Sequence, residues 1–249
     1  MRLPPLTDGR ILRRYQRFLA DVELPDGQIV VAHCPNTGTM ATCWAPGARV
    51  QLSHSANPAR KLPWTLERVD MGGGWIGVNT ARPNQVIAEA IAAGHIAPLV
   101  GYGHLRRELP YAPPGLPRGR IDIGLSAGTR PDALVEVKNV TLLDQGALRF
   151  PDAVSERGRR HLDLLLAAVR SGLRGVILFA ANRAEGERVG PAWSVDPAYA
   201  RRLLEVVAAG VEALAVRLVH AADGIETGEL LPVDLGLPGT GPSPRPRPQ

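Results

Sequence analysis

The stretch RIDIGLSAGTRPDALVEVKNV, which spans residues 120–140, decides how the second half of this chain folds. Two runs in which apolar and polar residues alternate, Arg120–Leu125 and Ala133–Val140, flank the turn-rich segment Ser126–Pro131. Short alternating runs separated by turn-forming residues are typical of two strands joined by a loop. The sequence therefore predicts a hairpin-like pair of strands at this place.

Three charged residues of this hairpin are predicted to lie on one side of the sheet. The side chains of a strand point alternately to its two faces, so Glu136 and Lys138 share a face. On the first strand, Asp122 is expected to stand opposite three apolar side chains that share the core face. Two carboxylates beside an ammonium can hold a divalent cation and orient a water molecule. The three apolar residues are Ile121, Ile123 and Leu125.

The scarcity of lysine gives Lys138 additional weight. Lys61 and Lys138 are the only lysines in a chain with 29 basic residues, so arginine supplies nearly all of the positive charge. An ammonium is compact and donates to one water or one phosphate oxygen, whereas a guanidinium is a broad planar fork. The alternative is an ordinary Glu/Lys pair on a solvated strand face, and the Glu-x-Lys spacing alone is common. Asp122 on the preceding strand favours the metal site.

Composition bounds the class of protein. A chain of 249 residues, 45% of them apolar, can bury one large core or two small ones. No apolar run is long enough to span a bilayer, and the first fifteen residues lack the apolar segment of a secretory signal. We therefore expect a cytoplasmic protein with no membrane partner. Cys34 and Cys43 lack the neighbours of a zinc site or disulfide framework. The net charge of +5 favours, weakly, a polyanionic partner.

Residues 1–83 are predicted to form a small OB-like β-barrel. Gly9–Leu24 is expected to be one long strand that turns at Pro25-Asp26-Gly27 into a second strand, Gln28–Cys34. Three further runs with strand character follow before residue 83. Five short strands in about eighty residues are typical of an OB-type barrel, a shape often used to bind single-stranded nucleic acid.

Two features of this barrel are candidate anion contacts. Arg13, Tyr15 and Arg17 line one face of the predicted first strand, and arginines beside an aromatic ring can neutralise phosphates and stack a base. A solvated strand face explains the same pattern equally well. The loop Cys34–Met40, which reads CPNTGTM, can offer backbone N–H groups to an anion or can simply turn the chain. Both alternatives stay open for the loop.

Residues 84–235 are predicted to form an α/β domain with a mixed sheet. A helix should begin at Pro83 and end at Gly94; Glu89 within it is either a third metal-binding carboxylate or a solvated glutamate. Residues 102–119 are expected to be a loop with one strand near residues 105–109. Helices 151–172 and 196–210 should then alternate with strands 174–181 and 211–219. Arg157 and His161, near the start of the second helix, are candidate phosphate contacts, whereas Arg160 is interpreted as solvated. The Pro/Arg-rich tail, residues 236–249, is predicted to be disordered.

The chain resembles the sugar fermentation stimulation protein A (SfsA) family. The resemblance is carried by motifs between residues 13 and 162, which are RRYQRFLADVELPDG, AHCPNTGTM, NPARKLPWTLE, RIDIGL, VEVKNVTL and FPDAVSERGRRHL. It implies an α+β protein of two domains, an OB-like barrel followed by a PD-(D/E)xK nuclease-like domain, and it implies DNA binding. In this resemblance Asp122, Glu136 and Lys138 are the catalytic residues. Asp122 is preceded here by isoleucine instead of proline.

The resemblance leads to a specific functional hypothesis. The expected activity is hydrolysis of phosphodiester bonds with Mg²⁺ or Mn²⁺, held by Asp122 and Glu136 and, from the helix, by Glu89. The alternative is a DNA-binding regulator of sugar (maltose) metabolism genes whose nuclease-like fold is not catalytic. A scaffold that binds no nucleic acid is a third hypothesis. The residues predicted to contact nucleic acid, most readily DNA, are Arg13, Tyr15, Arg17, Lys61, Arg157 and His161.

Overall fold

Five strands at the N-terminal end close on themselves to form a barrel. In the computed structural model, which describes residues 1–236, the strands run in the order β3-β2-β1-β4-β5, and β3 also pairs with β5. A short strand, β6, extends the sheet beyond β5. The strands are β1 (Leu6–Tyr15), β2 (Leu19–Glu23), β3 (Ile29–His33), β4 (Arg49–His54), β5 (Trp64–Asp70) and β6 (Trp75–Gly77).

The prediction of one long strand over Gly9–Leu24 is wrong. The chain reverses direction between β1 and β2, which pair antiparallel from Arg10↔Glu23 to Tyr15↔Leu19. The turn contains Gln16 and Arg17, which both have positive φ angles, 50° and 66°. Arg17 therefore does not continue the strand face that Arg13 and Tyr15 share. A turn built from two non-glycine residues in the left-handed region carries none of the usual sequence signals of a turn.

The second domain is built on a six-stranded mixed sheet with the order β15-β14-β12-β9-β8-β7. The three central strands, β9, β12 and β14, are parallel, and the outer strands pair antiparallel. A small sheet of β10, β11 and β13 lies beside it and was not predicted. The elements in chain order are α1 (Arg82–Ala92), β7 (Tyr102–Tyr111), β8 (Gly119–Gly128), β9 (Ala133–Val140), β10 (Leu142–Asp144), β11 (Ala147–Phe150), α2 (Glu156–Arg170), β12 (Arg174–Ala181), β13 (Val189–Pro191), α3 (Pro197–Ala208), β14 (Glu212–His220) and β15 (Ile225–Leu230).

The local signals explain where the helices begin. Pro83 lies in the first turn of α1, where its missing N–H costs nothing. Ser155 caps α2 by accepting a hydrogen bond from Gly158, so the helix begins at Glu156. Asp196 caps α3 in the same way through Tyr199. Strand β7 covers most of the segment that was expected to be a loop.

The mixed sheet separates two apolar cores. Helix α1 packs on one face, and helices α2 and α3 pack on the other. Strand β8 changes faces at Asp122, because Ile121 joins the core of α2 and α3 whereas Ile123 and Leu125 join the core of α1. The prediction that these three residues share one face is wrong. Glu108, opposite Asp122 on β7, has a φ angle of 54°, which marks the same irregularity.

Each domain contains a buried arginine that donates hydrogen bonds to backbone carbonyls of the other domain. Arg68 of the barrel donates to the carbonyls of Ala221 and Ala222 at 2.7 and 3.1 Å. Arg183 of the second domain donates to the carbonyl of Thr42 at 3.2 Å. At the connection, Arg82 of α1 binds Glu67 of β5. Within residues 1–236, none of the helices combines the length and apolar character that a membrane crossing requires.

Candidate metal and nucleic-acid site

Asp122 lies where strands β8 and β9 separate. Their pairing ends at Ile123↔Val135, and beyond this point the Asp122 carboxylate replaces a strand carbonyl as the acceptor. Its Oδ2 atom accepts from the Val137 amide at 2.8 Å. Its Oδ1 atom accepts from Asn84 Nδ2 of α1 at 2.7 Å. The carboxylate is therefore fixed by both the strand and the helix.

Glu136 is the buried member of the pair, with 2% of its surface exposed. Its Oε1 atom accepts from Lys138 Nζ at 2.6 Å and contacts His161 Nδ1 of α2. Its Oε2 atom is buried and has no hydrogen-bond partner within residues 1–236. One oxygen of this carboxylate is thus fully engaged and the other is free to accept a ligand.

His161 holds Glu136 from the helix side. Arg157 Nε donates to His161 Nε2 at 3.3 Å, which assigns the ring proton to Nδ1 and makes that atom the donor to Glu136. Lys138 Nζ lies 3.4 Å from the same Nδ1, and both atoms face the one carboxylate oxygen. His161 was predicted to contact nucleic acid, which stays a prediction, and the structure places its Nδ1 atom against Glu136 inside the site.

The two carboxyl groups have opposite electrostatic surroundings. Burial, followed by the nearby charge of Glu136, raises the pKa of Asp122 to about 6. Burial also acts to raise the pKa of Glu136, but the positive charge of Lys138 and the contact with His161 outweigh it, and the pKa is lowered. Glu136 is therefore ionised at neutral pH, and Asp122 lies close enough to feel its charge.

The pair fits a hard divalent cation. Ca²⁺ and Mg²⁺ prefer carboxylate oxygens, and Mg²⁺ in particular keeps several waters, so two carboxylates are a sufficient protein contribution. Glu136 offers a buried oxygen without a donor, and Asp122 carries a charge that its surroundings do not neutralise. Within residues 1–236, no three His, Cys, Asp or Glu side chains meet in a group that could hold a metal. The protein ligands of such an ion would therefore be Asp122 and Glu136.

Glu89 does not join them. Its carboxylate lies 3.0 Å from the amino group of Met1 and accepts from Gln85 at 2.8 Å. The bond from Gln85, and next the bond from the amino group, lower its pKa. Asn84, five positions earlier on the same helix, is the α1 residue that reaches Asp122. The prediction of a third carboxylate from this helix thus gains no support from the geometry.

A basic groove opens at Asp122. It has a volume of about 660 Å³, and the polar residues that line it are Asn84, the acids Asp122 and Glu108, and three arginines. An adjoining groove of about 510 Å³ shares those arginines and extends along α2 to Arg160 and His161. The arginines common to both grooves are Arg118, Arg120 and Arg157. The sequence identified only Arg157, because Arg118, just before β8, and Arg120, on β8, are brought to the site by the fold.

The residues predicted on the barrel do not form one surface. Arg13 Nε and the Tyr15 hydroxyl both donate to Asp21, at 2.6 and 3.0 Å, and the Arg13 guanidinium lies 4.8 Å from the Tyr15 ring centroid. Asp21 thus offsets the charge that the prediction assigned to phosphate. Arg17 lies in the β1–β2 turn and lines a cleft between the domains. Lys61 is exposed between β4 and β5.

Comparison with known proteins identifies the family. The model described as "Sugar fermentation stimulation protein RE domain" matches residues 81–224, and the model "SfsA N-terminal OB domain" matches residues 12–78. The chain belongs to the SfsA family. The two matches meet at the connection between β6 and α1, where the barrel ends.

Relatives from several organisms match over nearly the whole chain. A sugar fermentation stimulation protein homolog of Geobacter metallireducens is 51% identical over 94% of this chain and 100% of its own length. One from Acidithiobacillus ferrooxidans is 49% identical over 90% of this chain and 96% of its own. The solved structure of Pyrococcus furiosus SfsA in complex with Ca²⁺ is 26% identical, with a TM-score of 0.83, and covers 94% of this chain and 98% of that one. The two-domain α+β architecture is therefore that of the SfsA structure.

Proposed function

We propose that this protein is a metal-dependent nuclease that hydrolyses phosphodiester bonds, with DNA as its substrate. The observation that carries the proposal is the cluster at the end of the β8–β9 pairing. There, the charge of Glu136 acts on Asp122, one Glu136 oxygen has no partner within the described chain, and Lys138 binds the other. Two carboxylates and a lysine at the edge of a basic groove are the components of metal-assisted phosphodiester hydrolysis.

Each residue has a distinct role in this proposal. Asp122 and Glu136 would bind Mg²⁺ or Mn²⁺, and the Ca²⁺ complex of the Pyrococcus furiosus relative supports a divalent ion. A bound Mg²⁺ supplies polarisation of the phosphoryl oxygen and a more acidic water. Lys138 orients the attacking water or donates to the phosphoryl oxygen as its charge grows. His161 holds Glu136 in place from α2.

The groove supplies the substrate contacts. Arg118 and Arg157 line the groove that contains Asp122, and both side chains are exposed. Guanidinium groups pair with phosphate oxygens through two parallel hydrogen bonds, so they can hold the strand on either side of the scissile phosphate. Arg120 is less available because it donates to Glu108 at 3.2 Å.

A second candidate is a DNA-binding regulator of sugar (maltose) metabolism genes that does not cleave. One observation favours it: Lys138 and His161 both bind the same Glu136 oxygen, so the cluster is largely satisfied from within. The family description, sugar fermentation stimulation, is consistent with such an effect on the cell. In this alternative the acids stabilise the fold and the basic groove binds DNA.

A cleavage assay separates the two candidates. Single-stranded and double-stranded DNA and RNA are incubated with the protein in Mg²⁺, in Mn²⁺ and in EDTA, and binding is measured on the same preparations in EDTA. We expect cleavage of DNA that requires the metal. DNA binding without cleavage in any metal would favour the regulator. Cleavage that continues in EDTA would contradict the assigned site.

A further inference from the structure

We propose that the cleft between the two domains is a phosphate-binding site built around Arg149. The cleft has a volume of about 360 Å³, large enough for a mononucleotide-sized ligand. It lies between the loop that follows β3, which includes Asn36–Gly38, and the segment that joins β11 to α2. It shares no lining residue with the groove at Asp122. The inference therefore does not rest on the proposed hydrolysis.

Arg149 is a buried charge without a partner. The side chain belongs to β11, and only 8% of the residue is exposed. Within residues 1–236 its guanidinium forms no hydrogen bond and no ion pair, and its Nη1 atom is buried over Gly190 of the paired strand β13. An arginine cannot shed its proton to escape this cost, because its pKa is too high. The same side chain lines the cleft, where an anion would give the unpaired guanidinium an acceptor.

The other buried arginines of the described chain show that a buried guanidinium without acceptors is unusual in this protein. Arg68 donates to Gln51 and to two carbonyls across the domain boundary. Arg183 donates to Glu185 and to the carbonyls of Thr42 and Thr141. Both are as buried as Arg149 and are bonded on every side. The protein satisfies its structural arginines, so an unsatisfied one beside a cavity points to a ligand.

The walls of the cleft add to the positive potential. Arg17 lines it from the β1–β2 turn, which is held in place because Arg14 Nη2 donates to the Arg17 carbonyl at 2.7 Å. Ser155, the cap of the fifteen-residue helix α2, lines it from the other side. The N-terminal end of a helix carries partial positive charge and favours anions.

The one acid in the cleft is already engaged. Asp152 Oδ2 accepts from the Met40 amide at 3.3 Å, and a side chain at Gly38 would collide with the same carboxylate. Asp152 therefore faces the barrel loop, and it does not form an ion pair with Arg149. Its backbone carbonyl accepts from Thr39, which fixes the loop against the second domain. The loop Cys34–Met40, whose two sequence interpretations were both open, thus forms one wall of the proposed site.

The ligand chemistry is a phosphate oxyanion. The planar guanidinium matches phosphate oxygens, and hydroxyl and amide side chains at Thr37 and Asn139 can complete the contact. Two sources have this chemistry: a phosphate of a nucleic-acid strand that crosses both domains, and a free phosphate or mononucleotide. Both would bind between domains and would stabilise their contact.

The test measures phosphate binding without hydrolysis. Titration calorimetry in EDTA with inorganic phosphate compares the parent with Arg149→Met and Arg17→Met. The control is Arg201→Met, which removes one charge from an exposed position on α3. We expect Arg149→Met to weaken phosphate binding at least tenfold, Arg17→Met to weaken it severalfold, and the control to match the parent. Glu136→Gln should also bind phosphate like the parent, which separates this site from the hydrolytic one.

A second arm identifies the source of the phosphate. A labelled single-stranded oligonucleotide is titrated in EDTA against the same proteins, with and without excess phosphate. If the source is a strand, Arg149→Met weakens oligonucleotide binding and phosphate competes for it. If the source is a free phosphate, oligonucleotide binding is unchanged while phosphate binding is lost.

Two results would overturn the proposal. One is a folded Arg149→Met protein that binds both phosphate and oligonucleotide like the parent. The other is a parent whose midpoint of thermal unfolding does not rise with phosphate and whose oligonucleotide affinity is unchanged in Arg17→Met. The second result decides the matter even if Arg149→Met fails to fold, because Arg17 is exposed and its replacement leaves the fold intact.

Discussion

The protein contains two buried glutamates that differ in how completely they are bonded. Glu67 in the barrel accepts two bonds from Arg82, at 2.6 and 3.0 Å, and further bonds from Ser53 and Asn79. Both of its oxygens are occupied. Glu136 in the second domain uses one oxygen for Lys138 and His161, while its other oxygen has no partner within residues 1–236.

The difference separates an acid that the fold uses completely from one that can still accept a ligand. Burial acts to raise the pKa of each glutamate, and in each a positive neighbour reverses the effect. Around Glu67 every donor comes from the protein, so nothing is left for a ligand. Around Glu136 a second carboxylate, Asp122, stands nearby, and its pKa is raised to about 6 by burial and then by the charge of Glu136. The raised pKa reflects the free-energy cost of placing two carboxylates near each other. Folding alone does not require this cost, whereas a cation between the two acids would remove it.

The largest effect is expected when the free oxygen of Glu136 is removed. Glu136→Gln keeps the shape but takes away a negative metal ligand, so metal-dependent cleavage should fall by about a hundredfold or more. DNA binding in EDTA should equal that of the parent or exceed it, since an acid near the phosphates is lost. Single-turnover cleavage and a binding titration on one preparation measure both. Equal cleavage by parent and variant would show that this acid is not a ligand.

Lys138→Arg tests the same site from the other side. The charge is kept, but a planar fork replaces a compact donor in a position that fits a single ammonium. Cleavage should again fall by about a hundredfold, with DNA binding retained. Arg201→Lys, an exchange of the same kind in reverse at an exposed position, is the control and should cleave like the parent. Full activity in Lys138→Arg would mean that the side chain provides only charge.

Glu67→Gln should have its effect on stability instead. The change leaves Arg82 half-buried without its carboxylate, which should reduce the free energy of unfolding by about 3–4 kcal/mol. Urea unfolding at neutral pH measures the loss, and Glu205→Gln, at an exposed ion pair on α3, should change it by less than about 0.5 kcal/mol. Cleavage per folded molecule should stay at the parent level. A fall in cleavage without a fall in stability would make the contrast between the two glutamates untenable.

The raised pKa of Asp122 predicts a loss of stability as pH rises. Between its ordinary pKa of 3.8 and about 6, the folded state holds a proton that the unfolded state has released, so stability falls with increasing pH. The fall should amount to at most about 3 kcal/mol, complete above pH 6, in metal-free protein. Urea unfolding in EDTA from pH 4 to 8 should show this component in the parent and lack it in Asp122→Asn. Mg²⁺ should restore part of the lost stability in the parent at pH 8.

The smallest effect concerns the salt dependence of DNA binding. Each phosphate contact adds about one unit to the slope of log K against log salt. Arg118→Met combined with Arg160→Met should reduce the slope by about two units, because both arginines border the grooves at Asp122. Arg13→Met combined with Arg17→Met should reduce it by about one unit or less, since Asp21 already holds Arg13. If the double variant at Arg13 and Arg17 reduced the slope more than the double variant at Arg118 and Arg160, the DNA-binding surface would lie on the barrel.

The sequence could predict those features of the site that depend only on the geometry within one strand or one turn. Alternation along β9 puts Glu136 and Lys138 on one face, and the two side chains are bonded in the structure. The turn signal at Pro25-Asp26-Gly27 likewise predicted the hairpin of β2 and β3. The break at Gln16 and Arg17 could not be predicted, because neither residue is a usual turn former.

Residues that reach the site across elements were missed for a different reason. Asn84 and Glu89 both belong to α1, and the sequence favoured the acid. Which of them meets Asp122 depends on how α1 rotates over the sheet, and that rotation is set by packing. His161 was identified, but its role was not, because its contact with Glu136 spans 25 positions of sequence.

The bond between Glu67 and Arg82 also governs how interchangeable the two domains are. The family matches meet between residues 78 and 81, yet the ion pair and the bond from Asn79 to Glu67 cross that boundary. Two residues after Arg82, Asn84 holds the carboxylate at Asp122. A barrel transplanted from a relative would have to bring its own acid at this place, or the start of α1 and the aspartate beneath it would lose their anchor. The barrel and the mixed-sheet domain are therefore separate modules in the sequence, but the contacts at their boundary require the two domains to change together.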